Sequence, residues 1–240
     1  MIDLHCHLLP GIDDGPESMD EALEIARASV ADGITHAVLT SHVNPDRYPN
    51  KKRNLEKAVA EFADALAKAA IPLQVRMGGE ARLCPELMDL IAEGEVPFLG
   101  EVKGWRILLL EFPHQVVPVG SLRFVQSLLR QNIRPLIAHP ERNKAIMGNT
   151  DKIREFVEAG CWLQITAGSL SGRFGSQAQQ VAFKLLDEGC YSLIATDAHN
   201  TSSRPPVLSE GRAALELRYG EATATAMAVT RPAQIFGLVP

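Results

Sequence analysis

Short apolar runs rich in β-formers recur seven times along the chain, each separated from the next by a longer stretch with helical spacing. That alternation leaves few folds open. The runs are Ile2 to His5, His36 to Thr40, Leu73 to Met77, Arg106 to Phe112, Pro135 to Ala138, Trp162 to Ile165 and Tyr191 to Ala195. A strand followed by a crossover helix returns parallel to its predecessor, so repeating the unit predicts an α/β protein with a parallel sheet. The 240 residues carry no long linker, which predicts one domain spanning 1–240, at a length typical of α/β barrels. Ser18-Met19-Asp20-Glu21 reads as a capping box opening the first helix, with Ala22, Ile25, Ala26 and Val30 at helical spacing and Gly33 closing it. Further helices are predicted near 54–69, 85–93, 119–131, 151–159, 178–188 and 207–219.

The residues just after each strand are more informative than the strands themselves. His5 and His7 end the first, His42 comes after the second, Glu80 after the third, Glu111 ends the fourth, His139 comes after the fifth, and Asp197 and His199 after the seventh. In a parallel barrel these positions gather at the carboxyl-terminal mouth, where such folds build active sites. Imidazoles and carboxylates crowded there call for cations to offset them. His5 and His7 add a specific signal, because alternate residues of a strand point the same way and can grip one ion. A lone histidine is more often packed than ligating; ligand-type residues at nearly every strand end reverse that expectation.

Other candidates carry competing readings. His36 starts a strand and reads as a core or cap residue, while His114 could line the rim without a clear partner. Asp13 and Asp14 precede Gly15-Pro16, where a turn role competes with a ligand role for Asp14. Arg142 lies just after His139, and Arg204 just after His199. Their place at the mouth favours an anion site over solvated arginines, since a planar guanidinium fork matches phosphate oxygens.

Composition excludes several classes. Lys and Arg number 24 against 29 Asp and Glu, a net charge of −5, so no basic field exists to hold nucleic acid. The start lacks a basic leader and the longest apolar runs are too short to cross a bilayer, which predicts a cytoplasmic protein with no integral membrane segment. The cysteines at 6, 84, 161 and 190 are widely spaced and read as buried small hydrophobes rather than a disulfide framework.

Asp3-Leu4-His5-Cys6-His7, Asp13-Asp14-Gly15-Pro16, Thr40-Ser41-His42, Gly79-Glu80, Leu110-Glu111-Phe112, Ile137-Ala138-His139-Pro140-Glu141-Arg142 and Ala195-Thr196-Asp197-Ala198-His199-Asn200 occur in that order along nearly the whole chain. Together they closely resemble the bacterial PHP-family tyrosine phosphatases that regulate capsule and exopolysaccharide synthesis. The resemblance implies a distorted, TIM-like barrel of seven strands, the PHP fold, holding three metal ions. Manganese is the expected metal, with iron or zinc possible after purification. It further implies that His5, His7 and Asp197 hold one ion, that Glu80 bridges it to a second held by Glu111 and His139, and that Asp14, His42 and His199 hold the third. The implied partner is a phosphotyrosine-bearing protein, a bacterial tyrosine kinase of the same pathway.

The expected chemistry is in-line attack on phosphorus by a hydroxide held between metals, with Arg142 and Arg204 clamping the non-bridging oxygens. A cysteine nucleophile would need an arginine six positions on, and those positions are Ile12, Leu90, Ala167 and Thr196. The rival readings are a small-molecule phosphatase of the same fold, such as one for histidinol phosphate, and a non-catalytic metal-bearing scaffold. A binuclear amidohydrolase is disfavoured because the middle strands offer Glu80 and Glu111 where that class often places a lysine.

Overall fold

A computed structural model describes residues 1–239. The seven expected runs are all strands, and three short strands add to them. In chain order these are β1 (Ile2–Cys6), β2 (His36–Leu39), β3 (His42–Val43), β4 (Gln74–Met77), β5 (Glu80–Arg82), β6 (Gly100–Val102), β7 (Trp105–Glu111), β8 (Ile133–Ala138), β9 (Trp162–Thr166) and β10 (Leu193–Ala195). The pairings form two ladders, β1-β2-β4 and β10-β9-β8-β7-β5-β3, all parallel, with β6 antiparallel on β7.

The two ladders are one barrel with two broken staves. β2 and β3 are successive halves of one run, as are β4 and β5, and the register His36↔Gln74 continues unshifted to His42↔Glu80. Gly78-Gly79 makes the second break sterically possible: a Cβ on Gly78 would lie 2.5 Å from Val38 Cγ1, and one on Gly79 2.7 Å from Pro97 Cγ. The circle closes where His7 N–H donates to Ala198 O and Asp197 N–H to His5 O, both at 2.8 Å. This is the distorted seven-stave barrel that the resemblance implies.

Ile2 and Leu4 belong to the apolar cluster that fills the lumen, with Val38, Leu109, Leu136 and Leu193. Simple alternation would put Cys6 there too and turn His5 and His7 outward. A register irregularity between Asp3 and Cys6 breaks the alternation, and Cys6 packs instead in the outer layer between strands and helices. That local break re-aims the histidine pair at the mouth.

The first helix is Met19–Ala31, and Ser18 Oγ accepts from Glu21 N–H as expected. Glu21 departs from the capping box: its carboxylate accepts from Glu17 N–H at 2.8 Å rather than from Ser18. The predicted helices appear as Lys52–Lys68, Leu87–Ala92, Ser121–Leu129, Asp151–Ala159, Ser176–Asp187 and Ser209–Tyr219. Beyond residue 219 the sequence pattern predicts no element, yet Arg231–Phe236 is helical and plugs the amino end of the barrel. Ala233, Ile235 and Phe236 join the lumen cluster, and Arg76 donates to Phe236 O. His36 meets the edge of Phe236 at 5.0 Å, a packing role at the end opposite the mouth. Among the described residues no helix is long and apolar enough to cross a membrane.

Candidate metal centre

The strand ends, with the loop that carries Asp14, deliver all nine expected ligand-type side chains to one place. Glu80 sits at the middle: its Oε1 lies 3.4 Å from His5 Nε2 and 3.0 Å from His139 Nε2, its Oε2 3.4 Å from His7 Nε2 and 2.9 Å from His42 Nδ1. Asp197 Oδ1 is 3.2 Å from His5 Nε2 and 3.6 Å from His7 Nε2. On the open side, Asp14 Oδ1 is 3.2 Å from His42 Nε2 and 3.3 Å from His199 Nε2. All of these residues but Asp14 and His42 are buried.

Four interlocking groups could each hold an ion, their ligand atoms within 4.8 Å of one another: His7 with Asp14, His42 and His199; His5 with His7 and Glu80; His5 with His139 and Asp197; and His42 with Glu80 and Glu111. Asp14, His42 and His199 stand together as the resemblance implies, joined by His7. Glu111 groups with His42 where the resemblance paired it with His139, which falls with His5 and Asp197.

The outer partners of the imidazoles decide what their inner nitrogens can do. His5 Nδ1–H donates to Gln164 Oε1 at 3.0 Å, and His199 Nδ1–H to the Asp197 carbonyl at 3.0 Å. His7 Nδ1–H donates to Asp13 Oδ2 at 2.8 Å. An amide oxygen, a carbonyl and a carboxylate only accept, so each Nδ1 carries the proton and each Nε2 turns a lone pair toward carboxylate oxygens. Two acceptors facing each other need a cation between them. Asp197 Oδ1 and His199 Nε2 are indeed buried without a hydrogen-bond partner. The donor set therefore fits divalent cations bound through nitrogen and oxygen.

Without cations, protons take their part. Burial would lower His42, but Glu80 and Asp14 outweigh it and raise it to about 11. Burial likewise opposes His7, and Asp13 raises it to about 9. Asp13 is itself lowered to about 2, against the cost of burial, by His7. His199 falls to about 4 through burial and the neighbouring His7. Glu80 and Asp197, though buried, are held well below the carboxylate range by His5 and their other cationic neighbours.

Among the described residues, two of the five non-glycine positions with positive φ also lie here. His139 (φ 32°) and Asp197 (φ 54°) adopt left-handed conformations that cost non-glycine residues about 1–3 kcal/mol each. The turn after His139 is tied down by Glu141, a buried carboxylate that accepts from Thr166 N–H at 3.0 Å, Ser169 Oγ at 2.7 Å and Tyr191 Oη at 3.0 Å. Asn200 Oδ1 accepts from the backbone of Ser202, Ser203 and Arg204, folding that loop back over the mouth. Both expected arginines arrive at the centre, and both contact Asp197 Oδ2: Arg204 Nη2 at 2.6 Å, and Arg142 through Nη1.

Three neighbours are not evident from the sequence pattern. Asp13 makes the expected turn, accepting from Gly15 N–H at 3.0 Å, and also orients His7 and accepts from His42 N–H at 2.9 Å. Gln164 is the one polar residue amid Trp162-Leu163-Gln164-Ile165, an oddity in an apolar strand that does not by itself name its partner. Arg82 bonds Glu111 Oε2 at 2.9 Å, at the rim where the exposed His114 lies 3.6 Å from Glu111. The four thiols are unpaired. Burial pushes Cys84 up to about 11, Cys161 to about 12, Cys6 well above its ordinary value and Cys190 above its own, so none is poised as a nucleophile.

Comparison with known proteins agrees with this geometry. Residues 1–237 match the family described as Capsular polysaccharide synthesis, CpsB/CapC. Tyrosine-protein phosphatase YwqE of Bacillus subtilis is 36% identical over 220 residues, covering 92% of this chain and 85% of its own. Tyrosine-protein phosphatase CpsB of Streptococcus pneumoniae is 26% identical over 240 residues, covering 98% of each. A crystal structure from work on YwqE and CpsB, described as unique metal-dependent tyrosine phosphatases, superposes with a TM-score of 0.92 at 32% identity, covering 99% of this chain and 94% of that one. With residues 1–237 matched by the family model and 99% of the chain matched in fold, the chain belongs to the CpsB/CapC family of capsular polysaccharide synthesis proteins.

Proposed function

We infer that this chain is a metal-dependent protein-tyrosine phosphatase, a phosphoric monoester hydrolase acting on phosphotyrosine in a protein. The carrying observation is the cage in which imidazole lone pairs face the Glu80, Asp197 and Asp14 carboxylates, in a chain so similar to named tyrosine phosphatases. His5, His7, Asp14, His42, Glu80, Glu111, His139, Asp197 and His199 would hold the ions, three of them, with manganese the expected metal. Bound there, such ions supply Lewis acidity and acidify water toward neutral pH.

The rest falls to the chain's own residues. Gln164, Asp13 and the Asp197 carbonyl fix the imidazole orientations before any ion arrives. Asp197 Oδ2 gathers the two guanidiniums, taking one N–H from each and leaving the other donors to meet phosphoryl oxygens. A tyrosyl leaving group, with a pKa near 10, needs only modest protonation, so the site can serve it without a dedicated acid. The reading extends to a bacterial tyrosine kinase of capsule or exopolysaccharide synthesis as the phosphoprotein, and to a cytoplasmic location.

The test is turnover in manganese of a phosphotyrosine peptide, a phosphoserine peptide and histidinol phosphate. We expect the phosphotyrosine peptide to lead; a strong preference for histidinol phosphate would make this a small-molecule phosphatase. Arg142→Lys and Arg204→Lys, which keep charge but lose the fork, should each lower turnover by roughly ten- to a thousandfold with metal content unchanged.

A further inference from the structure

We propose that Phe174 is a positioning residue for the guanidinium of Arg142, fixing the plane in which it offers its N–H groups to the substrate phosphate. The inference rests on the reading of Arg142 as a phosphate contact.

The Phe174 ring lies under Arg142, with Cζ 4.2 Å from the ring centroid, and the arginine side chain is only 14% exposed. A guanidinium has five N–H donors in one plane. Asp197 alone, engaged through Nη1, leaves that plane free to rotate about the contact. An aromatic face against it restricts that rotation without consuming a donor, so the N–H groups stay available to a pair of phosphate oxygens.

The loop is built to hold the ring there. Gly172 (φ 83°) and Gly175 (φ 90°) bracket Phe174 in the left-handed region, with Gly175 N–H donating to Gly172 O at 3.0 Å and Arg173 N–H to Gly168 O at 2.8 Å. Arg173 Nη2 pins the outer side to Glu210 at 3.2 Å. Gly168 is the ring's seat: a Cβ there would lie 3.1 Å from Phe174 Cε2. Ser169, next in sequence, bonds the carboxylate of Glu141, the chain neighbour of Arg142. The two segments are thus fastened twice, once by the Ser169–Glu141 hydrogen bond and once by Arg142 over Phe174.

A double-mutant cycle tests this in the manganese-loaded enzyme with p-nitrophenyl phosphate. Phe174→Leu keeps an apolar side chain but loses the π face, and should lower kcat/KM by about five- to thirtyfold, mostly in kcat, whereas Phe174→Tyr should stay within about twofold of wild type. In an Arg142→Lys background, Phe174→Leu should add less than about twofold, because its partner is already lost. Gly168→Ala, which presses on the ring at 3.1 Å and on the Arg173 side chain at 3.3 Å without altering either, should act in the same direction and stands in if Phe174→Leu fails to fold. Wild-type turnover in Phe174→Leu, an undiminished effect in the Arg142→Lys background, or equal losses in the Phe174→Leu and Phe174→Tyr variants would each overturn the proposal. Arg142→Lys alone reports on the underlying reading: if it turns over normally, that reading fails and takes this one with it.

Discussion

Asp13→Asn removes one charge from the centre while keeping the shape of the side chain, and the structure sets the size and sign of the result. Asp13 Oδ2 accepts from His7 Nδ1–H at 2.8 Å in a buried pair. His7 at about 9 against an ordinary 6.5, and Asp13 at about 2 against 3.8, describe that pair from its two ends. At 1.36 kcal/mol per pH unit, the two shifts correspond to roughly 2–3.5 kcal/mol in the metal-free protein, Glu80 adding to the larger value at the histidine end. The raised histidine contributes fully below pH 6.5 and loses its part as pH climbs through about 9. The lowered carboxylate contributes above 3.8 and loses its part only as pH falls through about 2. Asp13→Asn should therefore destabilise the metal-free protein most near pH 6, by about 5–10 °C in thermal midpoint for a chain of this size, and less at about pH 9.5, where most of the wild-type histidine is neutral. Melts of both proteins in chelator at the two pH values measure the difference. An equal deficit at both would refute the reasoning, since it would mean that Asp13 acts through the Gly15 turn rather than through the ion pair.

Gln164→Leu leaves His5 Nδ1 without an acceptor, and metal affinity should fall by about ten- to a hundredfold in competition with a chelator; unchanged affinity would show that Gln164 does not orient the ligand. Replacing all four cysteines with Ser or Ala should preserve turnover in the folded protein, as the raised thiol pKa values require; a folded but inactive variant would contradict this. Gly100→Ala would place a Cβ 1.9 Å from Ile235 O, so the helix plugging the barrel must shift, at a cost of at least about 2 kcal/mol in denaturant titration; a cost below about 0.5 kcal/mol would mean that the plug is loosely held.

The alternation of runs and the ligand-type residues after them were legible because each depends on neighbours in sequence. Strand period, helix spacing and the carboxyl-terminal rule for parallel barrels together bring His5, His7, Glu80, Glu111, His139, Asp197 and His199 to one mouth without any knowledge of contacts. The features that could not be read depend on partners far apart in the chain. Gln164 serves His5 across 159 residues, and Phe174 meets Arg142 from a loop that looks like any glycine-bounded turn. The broken staves at 40–41 and 78–79, the parity change in β1 and the closing helix 231–236 arise because a seven-stave barrel must fill its lumen and still close. Local propensity carries no record of that requirement. Which side chains could hold cations, and at which end of the barrel they meet, was thus written in the local pattern of the chain. Which nitrogen of His5 faces inward was settled by long-range packing, because the acceptor on the far side of its ring is Gln164, 159 residues away, whereas His7 and His199 take theirs from Asp13 and Asp197, close by in the chain.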